Sequence, residues 1–352
     1  MFRTHILGDH VSGDYTHPDT IKWSEIRTNV SKYRQIGAHQ RSPAPLTLHR
    51  ALQTSPVVTL IGHTPLVRLT RVTEALSPAV ALYVKLEGLN PGGSVKDRTA
   101  LFIVREALRK GDLVPGRTLL DATSGNTGIA YAMLGAVLGF PVLLALPADA
   151  SPERIQILRA YGAQLILTDP AAGTDGARHL VHELVTTEPD RYFHADQYSN
   201  PANPLAHYTT TGPEIWQQTK GQITHFVAGL GTGGTMMGVG HYLREQNHGV
   251  QLVGVQPASP QNGIEGLKHL ATADVPAIYD PNLVDRIAVV STEEACAMAR
   301  RLARQEGLFV GVSAGAAVVA ALRVARKLVQ GVVVALLPDG GFKYASAPFW
   351  AE

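Results

Sequence analysis

From Thr64 onward the chain alternates short apolar runs with longer helix-like segments, and this alternation constrains its fold more than any other feature. The apolar runs are "VALYVKLE" (80–87), "RTLLDA" (117–122), "PVLLAL" (141–146), "AQLILT" (163–168), "THFVAG" (224–229), "VQLVGVQ" (250–256), "RIAVV" (286–290) and "VVVALLP" (332–338). Each reads as a strand, and helices between most of them imply an α/β fold of parallel sheets covered by helices. Ser151-Pro152-Glu153 opens one helix with a capping serine and a proline at the first helical position, and Gly162 closes it. Ser291 to Glu294 open another with a capping box, and Gly307 ends it. The uncharged run from Ile129 to Pro147 is long enough to cross a bilayer, but Gly139-Phe140-Pro141 interrupts it. It reads as a buried helix followed by a central strand.

Composition narrows the function. The chain of 352 residues suits two ordinary domains or one large α/β unit, and 45% apolar residues can fill a sizeable core. A formal net charge of +2 without any block of like charges argues against nucleic-acid or anionic-membrane partners. The single cysteine, Cys296, rules out a disulfide framework within the chain and argues against a cysteine-based zinc site; no metal site is expected. It fits a reducing cytosol, and the N-terminus lacks the apolar core of a signal peptide. Residues 1–55, rich in His, Thr, Ser and Pro, show no sustained period and read as an extension, either disordered or a dimer arm.

Ligands of such sheets gather where strands end and helices begin, and four of these junctions carry unusual residues. In "NPGGSVKDR" (90–98), Ser94 to Asp97 fit a capping box that puts Lys96 in the first helical turn. A cation is disfavoured there by roughly 0.3–1 kcal/mol, which favours the neutral amine able to attack a carbonyl. A surface lysine that tolerates the cost is the alternative. "TSGNTG" (123–128) sets hydroxyls, an amide and glycines at a helix start suited to a small carboxylate, or forms an ordinary capped turn. "GLGTGGT" (229–235) lets backbone approach a phosphate, with Thr232 and Thr235 as further donors. "GVSAGAA" (311–317), after a strand at 308–312, offers Ser313, which taken alone is a helix N-cap.

Gly229, Gly231 and Gly234 also match G-x-G-x-x-G, which raises a nicotinamide dehydrogenase. That fingerprint needs an acidic residue at the end of the next strand, and "VQLVGVQ" ends in Gln256 and Pro257; Glu245 falls in the intervening helix. A phosphate loop, an activated lysine, a carboxylate loop and a strand-end serine suit pyridoxal 5′-phosphate instead.

With "NPGGSVKDR", "TSGNTGIA", "SNPANP…HYTTTGPEIWQQT", "GLGTGGT" and "GVSAGAA" in order and spacing, residues 58 to 346 resemble the cysteine synthases (O-acetylserine sulfhydrylases) of the fold-type II pyridoxal-phosphate family, most of all the B type. The resemblance implies two domains, each a mostly parallel twisted sheet flanked by helices, like the tryptophan synthase β chain. It implies a large phosphate-binding domain from 56–90 and 198–352, and a smaller mobile domain, 91–197. Lys96 would carry the Schiff base and act as catalytic base; Asn126 would bond the ring hydroxyl. Gly231, Thr232, Gly233, Gly234 and Thr235 would hold the phosphate, and Ser313 would face the pyridine nitrogen. Thr123, Ser124, Asn126, Thr127 and Gln197 would bind the substrate carboxylate.

The implied reaction is β-replacement through an α-aminoacrylate, giving L-cysteine from O-acetyl-L-serine and sulfide, or S-sulfocysteine from thiosulfate. The implied setting is a cytoplasmic homodimer. Lys268 and His269 stand where the B type carries a basic pair. Ala258 to Gln261 replace the arginine of phosphoserine-using relatives, which argues against O-phosphoserine. A cystathionine β-synthase without a regulatory domain is the nearest alternative. Asp339 either lines the site or serves a turn, and His207, Trp216 and Cys296 read as core or surface packing.

Overall fold

Every one of the apolar runs forms a strand. They are β3 (Val80–Leu86), β4 (Thr118–Ala122), β5 (Val142–Pro147), β6 (Gln164–Thr168), β8 (His225–Gly229), β9 (Gln251–Pro257), β10 (Arg286–Val290) and β11 (Gly331–Leu337). Three short strands, β1 (His5–Leu7), β2 (Leu66–Arg68) and β7 (Tyr192–His194), join them. The computed structural model describes residues 5–7, 20–27, 46–123 and 125–351; Ser124 and most of the N-terminal extension lie outside the described residues. The described residues divide between two compact units.

The first unit draws on Met1–Arg27, His63–Leu89 and Pro204–Glu352. Its sheet runs in the order β1-β10-β9-β8-β11-β3-β2, parallel throughout except for β2 against β3. Central strands are covered on both faces, so β9 is buried at every residue but the first, and that burial explains the unbroken apolar runs. Val227, Val253, Val255, Val333 and Ala335 pack with Ala314, Ala317, Val318 and Ala321 of the helix Val312–Ala325. That helix lies against the helix Thr292–Arg301, whose start carries the expected capping box between Ser291 and Glu294. The run at 308–312 is not a strand: only Val310 bridges to Gly340, because helix begins at Val312. Residues 20–27 dock on this unit, with Ile26 buried and the Trp23 ring stacked 3.9 Å from His241.

The second unit draws on Thr28–Gly62 and Asn90–Asn203. Its sheet, β6-β5-β4-β7, is wholly parallel. Ala177 and Val181 of the helix Gly173–Thr187 pack on Leu120, Ala122, Leu143 and Ala145. The uncharged run 129–147 divides as expected. The helix Asn126–Leu138 stops at Gly139, left-handed at φ 84°, and β5 follows. No helix among the described residues is long and apolar enough to cross a membrane.

Helix contact in the first unit is close enough to require glycine. A Cβ at Gly315 would lie 2.1 Å from the carbonyl oxygen of Ala295. Gly315→Ala is therefore expected to destabilise the chain by roughly 1–3 kcal/mol, read as a fall in thermal midpoint by calorimetry.

Candidate active site

In the second unit, Gly93 at φ 80° turns the chain into the helix Lys96–Lys110, and Lys96 is its first residue, half-buried. The capping box expected at 94–97 does not form. Val95 occupies the cap position; the Ser94 hydroxyl accepts the Lys96 N–H at 3.2 Å instead. The Asp97 carboxylate is turned to the backbone N–H of Gly92, so it ties down the Pro91-Gly92-Gly93 turn rather than the helix start.

The loop after β4 leads into the helix Asn126–Leu138, which also starts without a side-chain cap, at Gly125. Thr123 accepts the Gly125 N–H at 3.3 Å, and the guanidinium of Arg154 lies flat against Gly125, 3.1 Å from where a Cβ would stand. Thr127 donates to Gln197 Oε1 at 2.7 Å, so the structure brings these two together; Asn126 sits beside them at the helix start. Gln197 O in turn accepts from Asn203 Nδ2 at 2.8 Å.

Behind this loop lies Asp121, the acidic residue of β4. Its Oδ1 accepts the Ala122 N–H at 2.8 Å, and the Gln197 N–H faces the same carboxyl. Burial, then the charge of Asp196, push its pKa up to about 8. Burial raises the Tyr131 hydroxyl as well, with Asp121 adding to the shift. The two groups interact directly, which lowers the acid's pKa and raises the phenol's.

In the first unit, the turn after β8 runs through Gly229 to Thr235 into the helix Gly234–Gln246, which has no side-chain cap. A Cβ at Gly231 would lie 2.2 Å from Gly266 O, and Gly233 is left-handed at φ 83° with the Tyr279 ring behind it. This is a backbone cradle, with amide N–H groups at a helix start and the hydroxyls of Thr232 and Thr235; it fits a phosphate. His207 Nε2 lies 3.3 Å from Thr235 Oγ1, and its Nδ1 lies 2.9 Å from Thr211 Oγ1. The residue read as packing thus steadies a cradle hydroxyl; its i, i+4 spacing to Thr211 was the available signal.

Ser313 is the second residue of its helix and is buried; Gly311, not Ser313, holds the cap position. The Asp339 carboxyl lies against Gly311, 2.2 Å from where a Cβ would be, and accepts from Tyr344 Oη at 2.6 Å. At the end of β9, Gln256 accepts the Leu270 N–H and Glu245 accepts from Tyr208. No acid is left there for a dinucleotide ribose. Among the described residues no cluster of histidine, cysteine and acidic groups could hold a metal.

Fold and site together define a pyridoxal-phosphate enzyme, and comparison agrees. Residues 57–339 match the family model of pyridoxal-phosphate dependent enzymes, and the chain belongs to that family. It is 51% identical to the cysteine synthase of Aquifex aeolicus, over 84% of this chain and 92% of that one. It is 48% identical to cysteine synthase B of Pseudomonas aeruginosa, over 84% and 97%. Among solved structures, a cysteine synthase from Entamoeba histolytica superposes with a TM-score of 0.81 at 35% identity, over 90% and 94%.

An acid whose folded pKa is raised binds protons more tightly when folded. Its contribution is full below about pH 4 and is lost as pH climbs to about 8. Stability to urea is expected to fall across that window by on the order of a few kcal/mol more in the native chain than in Asp121→Asn. Equal slopes in the two proteins would refute the assignment.

Proposed function

We propose that this chain makes L-cysteine from O-acetyl-L-serine and sulfide by pyridoxal-phosphate-dependent β-replacement. The observation that carries this reading is the buried hydroxyl–amide pair, Thr127 and Gln197, at an uncapped helix start in the unit that also presents Lys96 at a helix start. The family membership and the names of the relatives support it.

The residues divide the work as follows. Lys96 Nζ would hold the cofactor aldehyde, and Asn126 would bond the ring hydroxyl. Backbone N–H groups of Gly231 to Thr235, with the Thr232 and Thr235 hydroxyls, hold the phosphate. Several charge-assisted bonds of roughly 1.5–3 kcal/mol each suffice for tight retention. When bound, pyridoxal phosphate supplies an electron sink for a carbanion at the substrate Cα, which permits loss of one β-substituent and addition of another. Thr123, Ser124, Thr127 and Gln197 bind the substrate carboxylate and so present Cα to Lys96. Lys96 Nζ removes the proton from Cα and later returns it. Ser313 would offer the ring nitrogen a hydroxyl, a weaker partner than a carboxylate, which would favour expulsion of a β-group over transamination.

Thiosulfate is a second sulfur donor in this reading: Lys268 and His269 form a weaker version of the basic pair that favours it, and the Lys268 backbone N–H donates to Leu230 O at 2.8 Å beside the phosphate cradle. The working form in this reading is a cytoplasmic homodimer, which sedimentation of the purified enzyme tests.

Borohydride reduction followed by digestion is expected to leave a pyridoxyl group on the peptide containing Lys96. Lys96→Ala is expected to lose that adduct and at least about 10³-fold of cysteine formation. An adduct elsewhere, or none, would refute the reading. Ser313→Asp is expected to shift the cofactor's absorption and raise the ratio of keto-acid product to cysteine, measured by spectrum and product analysis.

A further inference from the structure

The turn "SNPANP" (199–204) carries one end of a buried chain of polar contacts within the second unit. Thr99 Oγ1 donates to Asn203 Oδ1 at 3.1 Å, and Asn203 Nδ2 donates to Gln197 O at 2.8 Å. Thr127 Oγ1 closes the line on Gln197 Oε1 at 2.7 Å. All of these side chains are at least 95% buried. In such a setting each partner is held by the cost of leaving a polar group unmatched, roughly 1–3 kcal/mol.

The line joins two places that the reaction needs in register. Thr99 lies three residues beyond Lys96 on the helix Lys96–Lys110, so both project from the same face. Gln197 keeps its backbone carbonyl on Asn203 and its side-chain oxygen on Thr127. With its side-chain oxygen engaged by Thr127, its Nε2 is the donor that the proposed reading turns to the ligand. Asn203 is itself tied to the turn, its backbone N–H donating to Asn200 O at 3.0 Å.

We propose that Asn203 is a positioning residue that sets Gln197 in register with the helix turn bearing Lys96, and so governs recognition of the substrate carboxylate. This rests on the reading of Gln197 as a carboxylate ligand.

The test uses the holoenzyme and L-alanine, an amino acid with no β-leaving group. Its Kd is read from the change in cofactor absorption. Gln197→Ala is expected to weaken L-alanine by at least about tenfold, the loss of one good polar contact. Asn203→Ala is expected to weaken it by about tenfold in the native background and by less than about twofold when Gln197→Ala is already present. Thr99→Val, close in shape to the native side chain, is expected to act in the same direction by about threefold and keeps the test open if Asn203→Ala does not fold. A purely structural role predicts equal effects in both backgrounds, and that result from either variant would overturn the inference alone. An unchanged Kd in Gln197→Ala would overturn the carboxylate reading and the inference with it.

Discussion

A parallel strand cannot turn straight back, and the crossover that follows it delivers a helix whose first N–H groups have no partner within the helix. The helices of this chain differ in how those donors are treated. At some of these helices a side chain takes them. Ser151 accepts the Arg154 N–H, and Ser291 with Glu294 closes a reciprocal box. At the helices beginning with Lys96, Asn126, Gly234 and Val312 no side-chain cap forms. In three of these the cap residue is glycine. Capping by serine or aspartate contributes about 1 kcal/mol to a helix, and these four starts go without it; the first N–H groups of an uncapped start suit an anion.

The glycines at these starts do more than bend the backbone. At Gly231 a carbonyl oxygen and at Gly125 a guanidinium occupy the place of a side chain. The space is taken from behind by the protein itself, so each loop is pressed into one shape before any ligand arrives. Such preorganisation lets backbone donors act without reorganising during the reaction.

Most of this was legible in the sequence, for physical reasons. Most of the eight apolar runs are legible because central strands such as β5 and β9 are buried on both faces, which leaves a local mark in composition; β6, at a sheet edge, keeps its apolar run with no fully buried residue. β2 and β7 are three residues long and leave none. The glycine turns were legible because contact between backbones excludes side chains at fixed spacing. What failed was judged from local chemistry where a distant partner won. Asp97 matches a capping position in spacing but is held by Gly92, and Ser313 looks like a cap but lies inside its helix. His207 and Asn203 act on Thr235 and on Gln197 with Thr99, across separations of 28 and of 6 and 104 residues. Periodicity does not report such pairings. Asp121 did leave a trace, an acid in an otherwise apolar buried strand.

Burial alone does not identify a reactive amine. Lys85 is wholly buried in β3, a position that would ordinarily depress its pKa and expose a nucleophile. Its ammonium instead meets Thr64 O at 2.6 Å, Glu214 Oε2 at 2.7 Å and Gln218 Oε1 at 2.9 Å. Three acceptors, one of them a carboxylate, match the three protons of an ammonium and hold it charged; removing one partner would strand a buried charge at a cost of about 3–5 kcal/mol. Lys85 is therefore a structural clamp between β3 and the helix Gly212–Gln218. Lys96 is half-buried and opens a helix, where the dipole opposes its charge.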